Sequence, residues 1–211
     1  RVTGYSGNDD LRGWKGDDDL LVKNGTNTLR GDDGDDDIRG GSGVDSIYGG
    51  NDDDTILGLQ GADDLNGGNG NDSISAGPGD DRVTGYTGDD YLRGWTGDDD
   101  LLVKNGTNTL VGDDGNDDIR GGSGADLIYG GNHNDTILAL GGNDSIYGGN
   151  GDDSASGSNG ADLIEGGSGN DNLRGWTGGD ILRGGDGNDS LRGEAGRDVL
   201  DGGAGNDRIS G

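Results

Sequence analysis

The chain has 211 residues, 53 of them Gly, only 26% of them apolar, and none of them Phe, Met or Cys. Asp and Glu number 43 against 15 Lys and Arg, a net charge of −28. This balance argues against nucleic acid as a partner, leaves no disulfide or thiolate metal site, and offers no stretch apolar enough to span a bilayer or to serve as a signal peptide. Such a chain is expected to stay disordered unless a strict repeat stacks thin layers into a continuous core, or bound cations neutralise its carboxylates.

Cut every nine residues from Arg1, the sequence keeps one register throughout. The first units read RVTGYSGND, DLRGWKGDD, DLLVKNGTN, TLRGDDGDD and DIRGGSGVD; then come SIYGGNDDD, TILGLQGAD, DLNGGNGND and SISAGPGDD, ending at Asp81. Twenty-three full units reach Asp207, and Arg208–Gly211 opens another. The second position is Val, Leu or Ile in every unit except at Ala155, and the ninth is Asp except at Asn27 and Asn108. A longer period lies on top. At Arg82 the opening phrase restarts after 81 residues, DLLVKNGTNTL recurs unchanged at Asp19 and Asp100, and Trp14, Trp95 and Trp176 share the same spacing. The chain reads as a single repeat domain, 1–211, made of supermodules 1–81 and 82–162 and a partial third, 163–211.

The cleanest copy, Gly184-Gly185-Asp186-Gly187-Asn188-Asp189-Ser190-Leu191-Arg192, generalises to Gly-Gly-x-Gly-x-Asp-x-U-x, with U aliphatic. The three residues x-U-x are too few for a helix and enough for a short strand whose U faces one way. The other six must turn the chain, with Gly supplying positive φ. A strand-turn-strand-turn cycle of eighteen residues makes one coil. Odd units then stack into one parallel sheet and even units into another, with the U residues meeting between them. The predicted fold is an all-β solenoid of two short-stranded parallel sheets and about 12 coils, a rod on the order of 57 Å long.

Stacking places the turn of each unit on that of the next but one, so Asp18 lies above Asp36 and Asp36 above Asp54. Like carboxylates at rung spacing repel unless a cation lies between them. Carboxylate and carbonyl oxygens, without imidazole or thiolate, suit a hard cation, and Ca²⁺ tolerates irregular oxygen cages better than Mg²⁺.

The repeat resembles the calcium-binding nonapeptide of the repeats-in-toxin (RTX) family over essentially the whole chain. The resemblance implies a right-handed parallel β-roll with one Ca²⁺ between stacked turns. The upper turn gives the carbonyls of the second and fourth motif residues and its Asp; the lower turn gives the first and third carbonyls and its own Asp. Carried over, one site uses Gly149, Gly151 and Asp153 above Gly166, Ser168 and Asp171. The next uses Gly167, Gly169 and Asp171 above Gly184, Asp186 and Asp189. The full carboxylate series is Asp18, Asp36, Asp45, Asp54, Asp63, Asp72, Asp81, Asp90, Asp99, Asp117, Asp126, Asp135, Asp144, Asp153, Asp162, Asp171, Asp180, Asp189, Asp198 and Asp207.

Two units depart. In DLLVKNGTN the first Gly becomes Val22 or Val103, the second Lys23 or Lys104, and the ligand Asp becomes Asn27 or Asn108. The sites bordering them are expected to be weak or empty, with the ammonium replacing the ion. Four of 21 stacked turn pairs involve such a unit, leaving about 17 full calcium sites. Asp52 and His133 replace the third Gly, as residues tolerant of positive φ.

No catalytic constellation is expected. His133 is the sole His and reads as a turn residue, and neither a Gly-x-Ser-x-Gly elbow nor a P-loop occurs. Asn24-Gly25-Thr26 and Asn105-Gly106-Thr107 match the glycosylation sequon but read first as turns. The three Trp residues fit either a platform for sugar or protein contacts or rings that cover neighbouring turns; Trp95 should lie on the opposite edge from Trp14 and Trp176. Outward positions of the odd-unit sheet turn apolar along the chain, at Tyr91, Leu127, Leu163, Ile181 and Val199, with Val111, Tyr129 and Tyr147 on the same face. Self-association through Leu127, Tyr129, Tyr147, Leu163, Ile181 and Val199 is one expectation, scattered exposed apolar residues the other. Neither end shows a non-repeat cap, which suits an excised piece of a longer chain or rolls stacking end to end.

Three functions remain open. The first is a non-catalytic module of a type I-secreted bacterial protein that folds on calcium outside the cell, as the resemblance implies. The second is a structural repeat of a surface layer or extracellular fibre. The third is an accessory module of a polysaccharide-modifying enzyme. The localisation expected is extracellular or the bacterial cell surface.

Overall fold

A computed structural model describes the whole chain, Arg1–Gly211. The molecule is all β. Its strands alternate strictly between two 12-stranded sheets, one from the odd units and one from the even. All pairing is parallel, and each residue faces the one eighteen positions on: Leu92 pairs with Leu110, Ile128 with Ile146 and Leu173 with Leu191. The coil is therefore eighteen residues long, as the nonapeptide period requires.

The core is one side chain deep from each sheet. Leu20, Leu29, Ile38, Ile47, Ile56, Leu65 and their successors as far as Leu191 are buried, and even Ala155, the one small residue in this file, is closed off, while Val2, Leu11 and Leu200 are partly buried and Ile209 is exposed. So thin a core works because every coil buries its aliphatic residue against its neighbours and none stands alone. Four side chains at the fourth position, Val22, Ala76, Val103 and Ala139, extend the core toward the roll's edges. All other full units carry Gly there.

The strands are longer than x-U-x predicts. Most cover six residues, as in Ser46–Asn51 and Leu163–Ser168, so the Gly-Gly pair belongs to the ladder. The chain bends inside the strand, at the fifth position, where Gly149 has φ 116° and Gly167 φ 114°. Neighbouring coils bend at the same residue, except at Tyr5, Lys23 and Lys104, so pairing survives the corner: Gly149 stays opposite Gly167 and Asn150 opposite Ser168. Only the last three residues, Gly-x-Asp, form the turn proper. The bend is imposed on bulky residues too. Trp14, Leu59, Tyr86, Trp95, Leu140 and Trp176 all have φ between 77° and 87°, a left-handed conformation that costs on the order of 1 kcal/mol or more per non-Gly residue. Asp52 and His133 adopt φ 78° and 77° at the third-Gly position.

The six-residue pattern breaks at several places, among them the short strands Asp118–Arg120 and Thr136–Leu138, beyond which pairing continues only through bridges from Ser123 to Gly141 and from Gly141 to Asn159. In unit Asp19–Asn27 the strand stops at Leu21, and pairing resumes only at a bridge from Asn24 to Ser42. In unit Asp100–Asn108 the register slips where Tyr86 meets Val103. Lys23 and Lys104, unlike nearly all other fifth-position residues, lack positive φ.

Candidate metal centre

The ninth-position side chain turns inward at each corner. The backbone N–H of each such residue donates to Oδ1 of the ninth-position side chain eighteen residues on, an amide oxygen at Asn27 and Asn108 and a carboxylate elsewhere, as from Asp36 to Asp54 at 2.9 Å, Asp99 to Asp117 at 2.8 Å and Asp153 to Asp171 at 2.8 Å. This ladder runs unbroken along both edges, to Asp198 and Asp207, which accept from Asp180 and Asp189 at 3.1 and 3.0 Å. It occupies one carboxylate oxygen. The other, Oδ2, is buried without a hydrogen-bond partner at Asp9 and at Asp36, Asp45, Asp54, Asp63, Asp72, Asp81, Asp90, Asp99, Asp117, Asp126, Asp135, Asp144, Asp153, Asp162, Asp171, Asp180 and Asp189. Asp18, Asp198 and Asp207 have the same placement in less buried end turns. One buried, unpartnered carboxylate oxygen is costly; a file of them demands a common partner.

The glycines show where these oxygens aim. A Cβ built on Gly148 would collide with Asp153 Oδ2 and lie 2.6 Å from the carbonyl oxygen of Gly166. On Gly166 it would collide with Asp171 Oδ2 and lie 2.8 Å from Gly184 O. The upper turn's carboxylate and the lower turn's first carbonyl thus converge on space that only Gly leaves open. The carbonyls of Gly149 and Gly151 point along the stack, against the Cα atoms of Gly167 and Gly169, where a side chain would strike them. The carbonyls of Ser168 and Asp186 already accept the N–H groups of Gly151 and Gly169 at 2.8 Å, leaving each a single lone pair.

Burial raises the carboxyls from Asp36 to Asp180 above the usual range, and neighbouring carboxylates add to the effect at most of them. Asp54, Asp63, Asp72 and Asp135 are pushed up to about 7 and Asp99 to about 8. Asp81, Asp90, Asp117, Asp126, Asp162 and Asp171 reach about 6. Asp36, Asp45, Asp144, Asp153 and Asp180 are raised for the same first reason. The N–H donated from the coil above pulls the other way but does not offset the desolvation.

The family model for the RTX calcium-binding nonapeptide repeat (4 copies) matches thirteen overlapping segments that run without a gap from 1–29 to 177–209. The chain belongs to the RTX calcium-binding repeat family. A search of curated proteins gives no match. RTX repeats bind calcium, and the donor set fits that ion: only oxygens line the corners, one carboxylate oxygen per turn lacks any donor, and carbonyls converge beside it.

The two aberrant turns of this RTX roll differ from the arrangement expected of their lysines. The ammonium groups do not lie among the carboxylates. Lys23 Nζ sits 5.6 Å from the ring centre of Tyr5, and Lys104 Nζ 4.7 Å from that of Tyr86, both on the outer surface. The contact to the next carboxylate comes instead from the asparagine amide. Asn27 Nδ2 donates to Asp45 Oδ1 at 2.7 Å, and Asn108 Nδ2 to Asp126 Oδ1 at 2.8 Å.

Two further features of the roll escaped the sequence reading. Eighth-position Asn and Asp side chains form an outer ladder of opposite sense, accepting the N–H of the residue eighteen on: Asp53 from Asn71 at 2.7 Å, Asp152 from Asn170 at 2.7 Å, Asn170 from Asn188 at 2.9 Å. The Asn or Asp at the eighth position of most units, though not at Val44, Ala62, Ala125 or Arg197 among others, was its signal. Each Trp is also stacked by the Arg two residues earlier, with the guanidinium 3.8, 3.6 and 3.5 Å from the ring centres of Trp14, Trp95 and Trp176. Those guanidinium groups pair with Asp32, Asp113 and Glu194 one coil below. Arg12 holds the Asp32 carboxyl below its ordinary value through their hydrogen bond. Trp14 and Trp176 lie in the even-unit sheet and Trp95 in the odd.

Proposed function

We propose that this RTX domain is a non-catalytic module whose folding is driven by calcium outside the cell, within a secreted or surface-exposed bacterial protein. The observation that carries the reading is the file of buried Oδ2 atoms without donors. In a calcium-poor compartment, these carboxylates and the net charge of −28 oppose the coiled state. In millimolar calcium, ions held by Asp Oδ2 and the turn carbonyls supply the missing partners, and binding free energy becomes folding free energy. The carriers are the ninth-position aspartates from Asp18 to Asp207, with the carbonyls of Gly149, Gly151, Gly166 and Ser168 and their equivalents. On this reading residues 1–211 fold as one unit, because each coil is completed only by its neighbours. Circular dichroism during a calcium titration tests it: the β signal should rise cooperatively, and an unchanged spectrum at saturating calcium overturns it.

A second reading adds lateral self-association. Ile181, Val199 and Tyr129 are exposed on the odd-unit sheet, and Tyr129 stacks on Tyr147 with centroids 5.1 Å apart. Leu127, Leu163, Ile181 and Val199 share one file of that sheet, interrupted by Ser145. Leu163→Asp with Ile181→Asp should convert a calcium-loaded oligomer to monomer in sedimentation; a monomeric parent protein rules the interface out.

A further inference from the structure

The turns at Asn27 and Asn108 do more than lack a carboxylate. Asn27 and Asn108 are 2% and 1% exposed, as deeply set as the aspartates they replace. Each grips the carboxylate below with two donors. The backbone N–H of Asn27 and its Nδ2 reach Asp45 Oδ1 at 2.9 and 2.7 Å, and those of Asn108 reach Asp126 Oδ1 at 2.9 and 2.8 Å. Asn27 Nδ2 also donates to Gly25 O at 3.2 Å. At every other rung the aspartate side chain has no proton to give once ionised.

The surroundings are rebuilt to match. Val22 and Val103 fill the space that Gly leaves open elsewhere and are buried to 1%. In the turn above, a Cβ on Gly85 would collide with Asp90 Oδ2 and lie 2.9 Å from Val103 Cγ1. At Gly94, in an intact unit, the corresponding neighbour is the carbonyl oxygen of Gly112, also at 2.9 Å. A methyl group of Val103 thus crowds the space beside the Asp90 carboxylate. The absence of positive φ at Lys23 and Lys104 reorients the same peptide groups.

We propose that these two turns are cation-independent clamps, in which a buried amide adds a second hydrogen bond to the Oδ1 that the backbone N–H already holds, leaves Oδ2 of the same carboxylate free, and ties two adjoining coils together when calcium is withdrawn. The proposal rests on the calcium reading for the rest of the roll. A charge-assisted N–H···O⁻ bond needs no ion, and replacing one of two stacked carboxylates by a neutral amide removes their repulsion at that rung. One clamp lies on each edge, Asn27 among the odd units and Asn108 among the even. The chain then carries two preformed seeds onto which calcium-loaded coils can build.

The test uses the full chain in two measurements. Amide hydrogen exchange in calcium-free buffer should find the N–H groups of Asn27, Asn108, Ser46 and Leu127 exchanging at least about tenfold more slowly than those of Asp72 and Asp162; each tenfold corresponds to about 1.4 kcal/mol of local opening. Native mass spectrometry at saturating calcium should find more ions, by up to four, when both units are restored with Val22→Gly, Lys23→Gly, Asn27→Asp, Val103→Gly, Lys104→Gly and Asn108→Asp. The restored protein should also lose the calcium-free protection. Asn27→Asp with Asn108→Asp alone should abolish the protection without adding ions, because the valines and the altered backbone remain. Uniform exchange along the calcium-free chain, or the same ion count before and after restoration, overturns the proposal. A parent protein that binds no calcium at all overturns the calcium reading itself, and the exchange measurement then judges the amide clamps separately.

Discussion

A glycine is judged in this roll by what lies within reach of the side chain it lacks. Gly151 has φ 140°, and a Cβ there would strike His133 O and approach Asn134 N to 3.1 Å, both backbone atoms of the coil above. Backbone cannot swing aside as a side chain can. Gly151→Ala should therefore cost about 3 kcal/mol or more in thermal unfolding with calcium. Gly141 has no atom within 4 Å of its missing Cβ and no positive φ. Gly141→Ala should be neutral or raise stability by a few tenths of a kcal/mol. Equal losses for the two would show that loop entropy, and not close approach between coils, sets the need for Gly. Composition alone makes the two residues indistinguishable, because Gly fills spacer and corner positions alike. What the sequence does display at this scale is the ninth-position Asp, replaced only at Asn27 and Asn108; the side-chain direction that leaves one oxygen unpartnered comes from the coil above, whose N–H holds the other.

The strand shows where pattern reading stops. The period of nine, the aliphatic second position and the division into odd and even sheets were all legible, because a slip of one residue would expose the whole aliphatic file. Strand length was not. A Gly pair reads as a turn, yet a ladder bends at Gly149 and Gly167 without breaking when neighbouring coils bend there together. The same bend accepts Trp95, whose ring is covered by Arg93 and tied through Nε1 to Ser75 Oγ at 2.8 Å. Pairing between Arg93 and Asp113 is surface electrostatics, although the fork looks strong. A double-mutant cycle of Arg93→Ala and Asp113→Ala should give a coupling below about 1 kcal/mol that shrinks further in high salt. A coupling of several kcal/mol would mean that this pair fixes the strand bend.

Over the whole molecule, the buried carboxylates set an opposition between protons and calcium. From Asp36 to Asp180 their pKa values in the coiled, ion-free state are raised, to between about 6 and about 8 where the shift is largest. A carboxyl whose folded pKa exceeds its unfolded value favours the fold fully only below the unfolded value, near 4, and loses that contribution as pH rises through the folded pKa. In calcium-free buffer the β signal should therefore be greatest near pH 4 and fall progressively between about pH 5 and pH 8. With calcium the sense reverses, since protons compete for the same Oδ2 atoms and the midpoint calcium concentration should rise as pH falls through that window. Dichroism at a series of pH values, with and without calcium, checks both limbs. A calcium-free signal that increases from pH 5 to pH 8 would contradict the burial of these groups.

The 81-residue supermodule spans four and a half coils, and the half has a geometric result. Translation by one supermodule is also a rotation by half a turn, so the rod carries an approximate two-fold screw axis along its length. Trp14 faces one way, Trp95 the opposite way about 22 Å further on, and Trp176 returns to the first side after about 43 Å. Consecutive copies of any surface feature thus never share a side. A ligand lying along one face meets every second copy only, while two identical partners can grip the rod from opposite sides without touching each other.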